Sequence, residues 1–377
     1  MLPAGGTRAA AAGRPGAGAR GSVVTATADA VQLLTTAGEL VAHPEYPIEA
    51  SVADLRALYR GLVLVRRLDA EATALQRQGE LALWAPLYGQ EAAQIGSAHA
   101  LAPDDMVFPS YREHAVAWHR GVPLQEIIAP SRGVRLGGWD TAAHGMQNYA
   151  IVLGAQTLHA TGYALGVQRD GAATAVLTYL GDGAMSQGDV SEAFTFAAVA
   201  GAPVVFFCQN NQWAISTPVA RQSRVPLYRR AQGFGFPGVR VDGNDVLAVR
   251  AVTAAALHRA REGGGPTLIE AVTYRMGPHT TSDDPGRYRP PGEAEHWRTR
   301  DPIARIRAWL TRASDDAEAF FAAVELDAAD LAARLREACM TMPDPDPASL
   351  FEHVYADGHA GLDEQRRVFL ERRCGGR

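Results

Sequence analysis

Two short polar clusters in this sequence are placed to do chemistry. Gly181-Asp182-Gly183 ends one apolar run, and Asn210-Asn211 ends another about 30 residues on. A carboxylate and a carboxamide are compact, hard oxygen donors. A pair of them suits a small cation such as Mg²⁺, which takes one or two such groups plus phosphate oxygens and water. The glycines flanking Asp182 leave room for a diphosphate to approach the backbone, and the first turn of the next helix offers it free N–H groups. Gly-Asp-Gly alone marks little more than a turn. Joined to Asn-Asn at this distance, with a strand before each, it is a specific signature. A nicotinamide site is the nearest rival. It fails because Gly181, Gly183 and Gly188 do not keep the G-x-G-x-x-G spacing.

The flanking pattern supplies what such a pair needs. Thr174–Leu180 and Pro203–Cys208 read as buried strands, and Asp189–Ala200 reads as a helix between them with Asp189 as its cap. In a βαβ unit both strands point the same way, so their carboxyl ends share one rim of the sheet, where open α/β sheets bind ligands. Further strands are expected at Val107-Phe108, Gly238–Val241 and Thr267–Thr273. Helices are expected over residues 50–80, Gln90–Leu101, 149–166, Val246–Arg261, Pro302–Leu310 and Leu326–Cys339, and an exposed loop over Ser131–Gln147. The alternation predicts an α/β fold, a parallel sheet with helices on both faces, plus helical N- and C-terminal extensions.

Composition removes several functions. The 36 basic residues are all arginine, which excludes a Schiff-base lysine, a phosphate-loop lysine and a lysine-borne lipoyl or biotin group. A net charge of -5 and the absence of a nucleic-acid-reading motif argue against nucleic acid as partner. Cys208, Cys339 and Cys374 have no metal-ligand spacing and imply a reducing, cytoplasmic setting. No apolar run is long enough to span a bilayer. Residues 1–28, rich in Ala, Gly and Arg and free of acid, are expected to be a disordered tail rather than a transit peptide. The main domain is expected over 29–360, with a C-terminal tail over 361–377.

The Gly-Asp-Gly…Asn-Asn signature matches that of transketolase-like thiamine diphosphate enzymes. From about residue 50 to 360 the chain resembles α subunits of 2-oxo acid dehydrogenases. The resemblance implies a thiamine diphosphate-binding fold, with Mg²⁺ held by Asp182, Asn211 and the carbonyl of Trp213. It implies diphosphate contacts from Tyr111-Arg112 of the block Tyr111-Arg112-Glu113, from Gly181 through Ala184 (Gly181, Asp182, Gly183, Ala184), and from Arg275 and His279 in a mobile loop spanning 274–284. Leu153-Gly154-Ala155-Gln156 resembles the segment that meets the aminopyrimidine, placing Leu153 and Gln156 in the site. Gln209 stands where some branched-chain relatives carry an arginine, so one charged contact is expected to become a neutral hydrogen bond. Thr280, with Ser282 nearby, stands where some relatives are phosphorylated.

The resemblance further implies oxidative decarboxylation of a 2-oxo acid, with acyl transfer to the lipoyl group of an acyltransferase component and His279 assisting that transfer. The chain is too short to hold both thiamine-fold halves. A separate β subunit, in an α₂β₂ heterotetramer, is therefore expected to supply the glutamate that activates the cofactor, with Leu350–Tyr355 as a contact to it. The blocks Asn211–Pro218, Val241–Val246 and Trp297–Ile303 favour a branched-chain substrate such as 3-methyl-2-oxobutanoate, with pyruvate as the alternative. Outside this class stand a nicotinamide oxidoreductase and a non-catalytic relative.

Overall fold

The computed structural model describes residues 29–48, 50–135 and 138–374; the tail expected over residues 1–28 lies outside them. Its strands are β1 (Met106–Phe108), β2 (Val176–Gly181), β3 (Val204–Asn210), a two-residue ladder β4 (Trp213–Ala214) and β5 (Thr217–Pro218), β6 (Gly238–Asp242) and β7 (Thr267–Val272). All strands but that ladder form one parallel sheet in the order β1-β2-β3-β7-β6.

The helices of the first half are α1 (Val52–Arg77), α2 (Glu91–Ala98), α3 (His114–His119), α4 (Leu124–Arg132), α5 (Thr141–His144), α6 (Ala155–Arg169) and α7 (Gly188–Ala200). Those of the second half are α8 (Val219–Gln222), α9 (Arg230–Gly233), α10 (Val246–Arg261), α11 (Glu293–Arg298), α12 (Pro302–Ala313), α13 (Ala317–Met340) and α14 (Ala360–Cys374).

Alternate strand residues enter two different cores, which is why the strands read as unbroken apolar runs. Leu177, Tyr179, Val205, Phe207, Ile269 and Ala271 pack with α1, α2, α10, α12 and α13. Val176, Leu180, Val204, Phe206, Cys208 and Leu268 pack with α6 and α7 on the opposite face. Local chemistry sets the helix starts. Ser51 and Asp54 close a reciprocal capping box at α1. Asp245 accepts from Leu247 N and Ala248 N at the start of α10 and also from Leu33 N and Leu34 N, tying the N-terminal segment to the sheet. Asp301 caps α12 with Pro302 in its first turn.

Three expectations need correction. The helix expected from residue 149 begins at Ala155, because Gly154 turns the chain through φ 90° and leaves Ile151, Val152 and Leu153 exposed. Asp189 is not a cap: Gln187 precedes α7 and Asp189 sits in its first turn. The segment 131–147 is not wholly an exposed loop. It carries α5 and buries Trp139 and Met146, with the Trp139 indole donating to the Met146 carbonyl at 2.8 Å. The expected C-terminal tail is helical through Cys374 as part of α14, and the preceding apolar residues Leu350, Val354 and Tyr355 are exposed.

Candidate active site

The register of the sheet builds the site. Gly181 lies opposite Gln209, Gln209 opposite Ala271 and Asn210 opposite Val272. Three adjacent parallel strands therefore end together and release Asp182, Asn211 and Arg275 at one rim. β1 ends beside β2, delivering Ser110 through His114 to the same place. These segments line one cavity of about 720 Å³, whose wall includes Tyr111, Arg112, Leu153, Gly181, Asp182, Gly183, Ala184, Gln209, Asn211, Trp213, Arg275, His279 and Thr280. Gln156 does not join them. It is buried behind the strand, donating to the Tyr179 carbonyl at 2.8 Å.

Asp182, Asn211 and Trp213 share the cavity wall. Burial pushes the Asp182 carboxyl up to about 6, against the Gln222 amide from α8, which donates to Oδ2 at 3.1 Å. Asn211 donates its amide N–H to Gln90 Oε1 at 3.1 Å, and its Oδ1 accepts Trp213 N at 3.3 Å, which leaves that oxygen one further lone pair. Gln212 follows at φ 73°, a left-handed conformation costing about 1–2 kcal/mol in a non-glycine residue. Its backbone N–H donates to Asn210 Oδ1, which steadies this turn between Asn211 and Trp213. The Trp213 carbonyl accepts Arg275 Nη1 at 2.8 Å. A carbonyl has two lone pairs, so one remains.

The cationic side of the cavity is held by a loop. Arg112 donates to the Pro86 carbonyl at 2.7 Å and the His279 carbonyl at 3.0 Å. Arg275 also donates to the Ile215 carbonyl at 2.8 Å. Both guanidinium groups approach His279 Nδ1, at 3.4 Å and 3.2 Å. Arginine can only donate, so Nδ1 is an acceptor and the imidazole is neutral, with its proton on Nε2. Burial, reinforced by Arg112 and Arg275, lowers His279 to about 4. Asp283 accepts from His279 N at 2.8 Å, fixing the loop from its own side.

The glycines differ in purpose. A Cβ on Gly183 would stand 2.7 Å from the Ala214 Cβ, so packing against β4 demands glycine there. A Cβ on Gly181 would meet nothing within 4 Å, so that position keeps open space. The turn after Asp182 is a single 3₁₀ turn, Ala184–Ser186, and α7 starts only after it.

The profile of the dehydrogenase E1 component family matches residues 59–325. The chain belongs to this family. Members depend on thiamine diphosphate. The 3-methyl-2-oxobutanoate dehydrogenase subunit alpha of Mycobacterium tuberculosis H37Rv is 46% identical over 347 residues, covering 92% of this chain and 95% of that one. The pyruvate dehydrogenase E1 component subunit alpha of Staphylococcus aureus Mu50 is 39% identical over 348 residues, 91% and 93% of the two chains. The Bacillus cereus protein of that name is 42% identical over 290 residues, 76% and 78% of the two chains.

Several residues of this E1 chain that shape the cavity escaped sequence reasoning. Asp69 on α1 is buried and accepts from Trp84 Nε1, Leu87 N and Tyr88 N, bracing the segment that supplies the Pro86 carbonyl to Arg112. That segment also holds the 275–281 loop, through Met276 N to the Tyr88 carbonyl and Thr281 N to the Trp84 carbonyl. Gln222 and Gln90, which orient Asp182 and Asn211, carry no local signal. Glu113 stands inside a block already singled out, yet only the fold shows that its carboxylate faces Gln209.

Proposed function

We propose that this chain is the α subunit of a 2-oxo acid dehydrogenase that decarboxylates branched-chain 2-oxo acids such as 3-methyl-2-oxobutanoate. The observation that carries the reading is that Asp182, Asn211, Trp213, Arg112, Arg275 and His279 all line one cavity at the carboxyl rim of the sheet. The donor set fits the cofactor. Three oxygens suit Mg²⁺, the buried Asp182 carboxyl has no cationic hydrogen-bond partner among the described residues, and two guanidinium groups match a diphosphate. Asp182, Asn211 and Trp213 would hold Mg²⁺. Tyr111, Arg112, Arg275 and His279 would hold the diphosphate. When bound, thiamine diphosphate supplies the nucleophilic carbon and the electron sink for decarboxylation.

The protein's own part is positioning. Arg112 and Arg275 bring fixed positive charge to the cavity. Neutral His279 keeps an Nε2–H donor beside them, placed to support acyl transfer to a lipoyl group. The loop 274–284, braced on Trp84 and Tyr88, closes one wall against water.

Exposed Ile151, Val152 and Leu153 near the mouth, with Leu350–Tyr355, suit coverage by a β subunit in an α₂β₂ assembly that works with a lipoyl-bearing acyltransferase. The free, buried thiols of Cys208 and Cys339 fit a cytoplasmic setting. Branched-chain substrate is favoured by the higher identity to the mycobacterial relative; the two pyruvate dehydrogenase relatives keep pyruvate as the second reading.

Two measurements test this. Calorimetry of the chain assembled with its β subunit should show Mg²⁺-dependent thiamine diphosphate binding that Asp182→Ala abolishes; unchanged affinity removes the site. Turnover of 3-methyl-2-oxobutanoate should exceed that of pyruvate in kcat/KM; the reverse order assigns the chain to pyruvate.

A further inference from the structure

In the wall of the cavity lies a carboxylate that the cofactor reading does not use. Glu113 is 2% exposed and lines the cavity wall. Its Oε1 accepts Gln209 Nε2 at 2.6 Å, its Oε2 is buried and makes no hydrogen bond of good geometry among the described residues, and the main-chain N–H groups of Ser110, Arg112 and Glu113 lie close enough to favour the charged form. Burial outweighs Arg112 and these main-chain contacts, so the ionised carboxylate is costly to keep. The arrangement is simpler for the acid form, in which Oε1 is the carbonyl accepting from Gln209 and Oε2 carries a proton.

The groups facing it are few. From α2 comes the Gln94 amide, which bonds Gln209 Oε1 at 3.3 Å and the Arg112 carbonyl at 3.1 Å. From β3 comes Gln209. From β2 comes Tyr179, bound to Ser97. From the loop before α6 comes Tyr149, bound to His114 Nδ1. Both phenols are buried and neutral, with pKa values raised by burial and further by Glu113. His114, beside Glu113 in the chain, is held neutral by burial, which lowers it to about 3. The cation that opposes the Glu113 carboxylate is Arg112, one of the two guanidinium groups a diphosphate would engage. Burial already raises Glu113 to about 7, with Arg112 pulling the other way.

An entering diphosphate therefore competes for the charge that favours ionised Glu113 and adds negative charge beside it. We propose that Glu113 is a positioning residue for the diphosphate end of the cavity, which takes one proton from solvent as the cofactor binds and in its acid form holds Gln209 in place. The inference rests on the cofactor reading above. It also explains how a neutral glutamine serves where a charged group is expected: neutral Glu113 no longer subtracts from the positive field of Arg112 and Arg275.

The test is calorimetry of thiamine diphosphate with Mg²⁺ on the full-length chain assembled with its β subunit, from pH 6 to 8.5, in buffers of different ionisation enthalpy. The expected result is uptake of close to one proton above pH 7.5. The association constant should fall by up to about tenfold per pH unit above the Glu113 transition. Glu113→Gln, which copies the acid form, should bind without that proton uptake and with little pH dependence, near the affinity of the parent at pH 6. Binding by the parent without proton uptake, or an equal pH slope in Glu113→Gln, overturns the inference and leaves the cofactor reading intact. No binding by either protein at any pH overturns both. Should Glu113→Gln fail to fold, Gln209→Met takes its place. It removes the N–H bond to Oε1 and should move the pH transition of binding upward; an unmoved transition overturns the inference.

Discussion

Replacing Asp69 tests whether the cavity wall depends on one buried carboxylate. Its Oδ1 accepts from Trp84 Nε1 at 2.8 Å and Leu87 N at 3.0 Å, and its Oδ2 accepts from Tyr88 N at 3.1 Å. Asp69→Ala strands all three donors, two of them buried and one half-buried. At about 1–3 kcal/mol for each unsatisfied group, partly relieved by relaxation, the loss is about 3–6 kcal/mol. That is a large share of the ~5–15 kcal/mol typical of a domain. Asp69→Asn is the sharper variant. Its amide oxygen can stand at the Oδ1 position and keep two donors, while its NH₂ faces the Tyr88 N–H. The loss is one bond, about 1–3 kcal/mol.

Urea unfolding of the full chain should therefore rank parent above Asn above Ala, with Asn retaining more than half of the stability that Ala loses. Amide exchange should speed up at Tyr88 in Asp69→Asn while Leu87 stays protected. Because the 84–88 segment supplies carbonyls to Arg112 and to the 275–281 loop, both variants should also weaken thiamine diphosphate binding. Asp69→Ala within about 1 kcal/mol of the parent, or Asn as damaging as Ala, would refute the reasoning.

Other perturbations separate the remaining contributions. His279 falls from its usual value of 6.5 to about 4 in the folded chain, so the unfolded chain binds more protons between those values. Its contribution to stability is present above 6.5 and is lost as the pH falls through 4; His279→Gln should flatten the dependence of Tm on pH in that window, and an unchanged slope counts against the neutral imidazole. Gly183→Ala forces a Cβ to 2.7 Å from Ala214 and should cost about 1–3 kcal/mol in urea unfolding. Gly181→Ala meets nothing within 4 Å and should fold within about 0.5 kcal/mol of the parent, yet weaken cofactor binding because it fills the cavity wall. Arg275→Lys cannot reach the Trp213 and Ile215 carbonyls and Tyr288 together, so the 275–288 loop should become more sensitive to limited proteolysis.

The sequence by itself determined the sheet and the pair at its centre. Apolar runs of strand length, each ended by Gly-Asp-Gly or Asn-Asn, specify buried parallel strands, and a right-handed crossover leaves their ends no choice but one rim. Asp182 and Asn211 were legible for that reason, and Arg112, Arg275 and His279 through the resemblance of their blocks. Only the tertiary structure decided how those groups are used. Gln222 reaches Asp182 across 40 positions, Asp69 braces residues up to 19 positions away, and Glu113 meets Gln209 across 96. Pairings of that kind leave no periodicity in the chain, because they depend on which strand ends the fold brings into register. A local turn, not strand register, keeps Gln156 out of the cavity wall. The resemblance of its segment placed it there with Leu153, but Gly154 starts a helix between them and turns the glutamine toward the Tyr179 carbonyl.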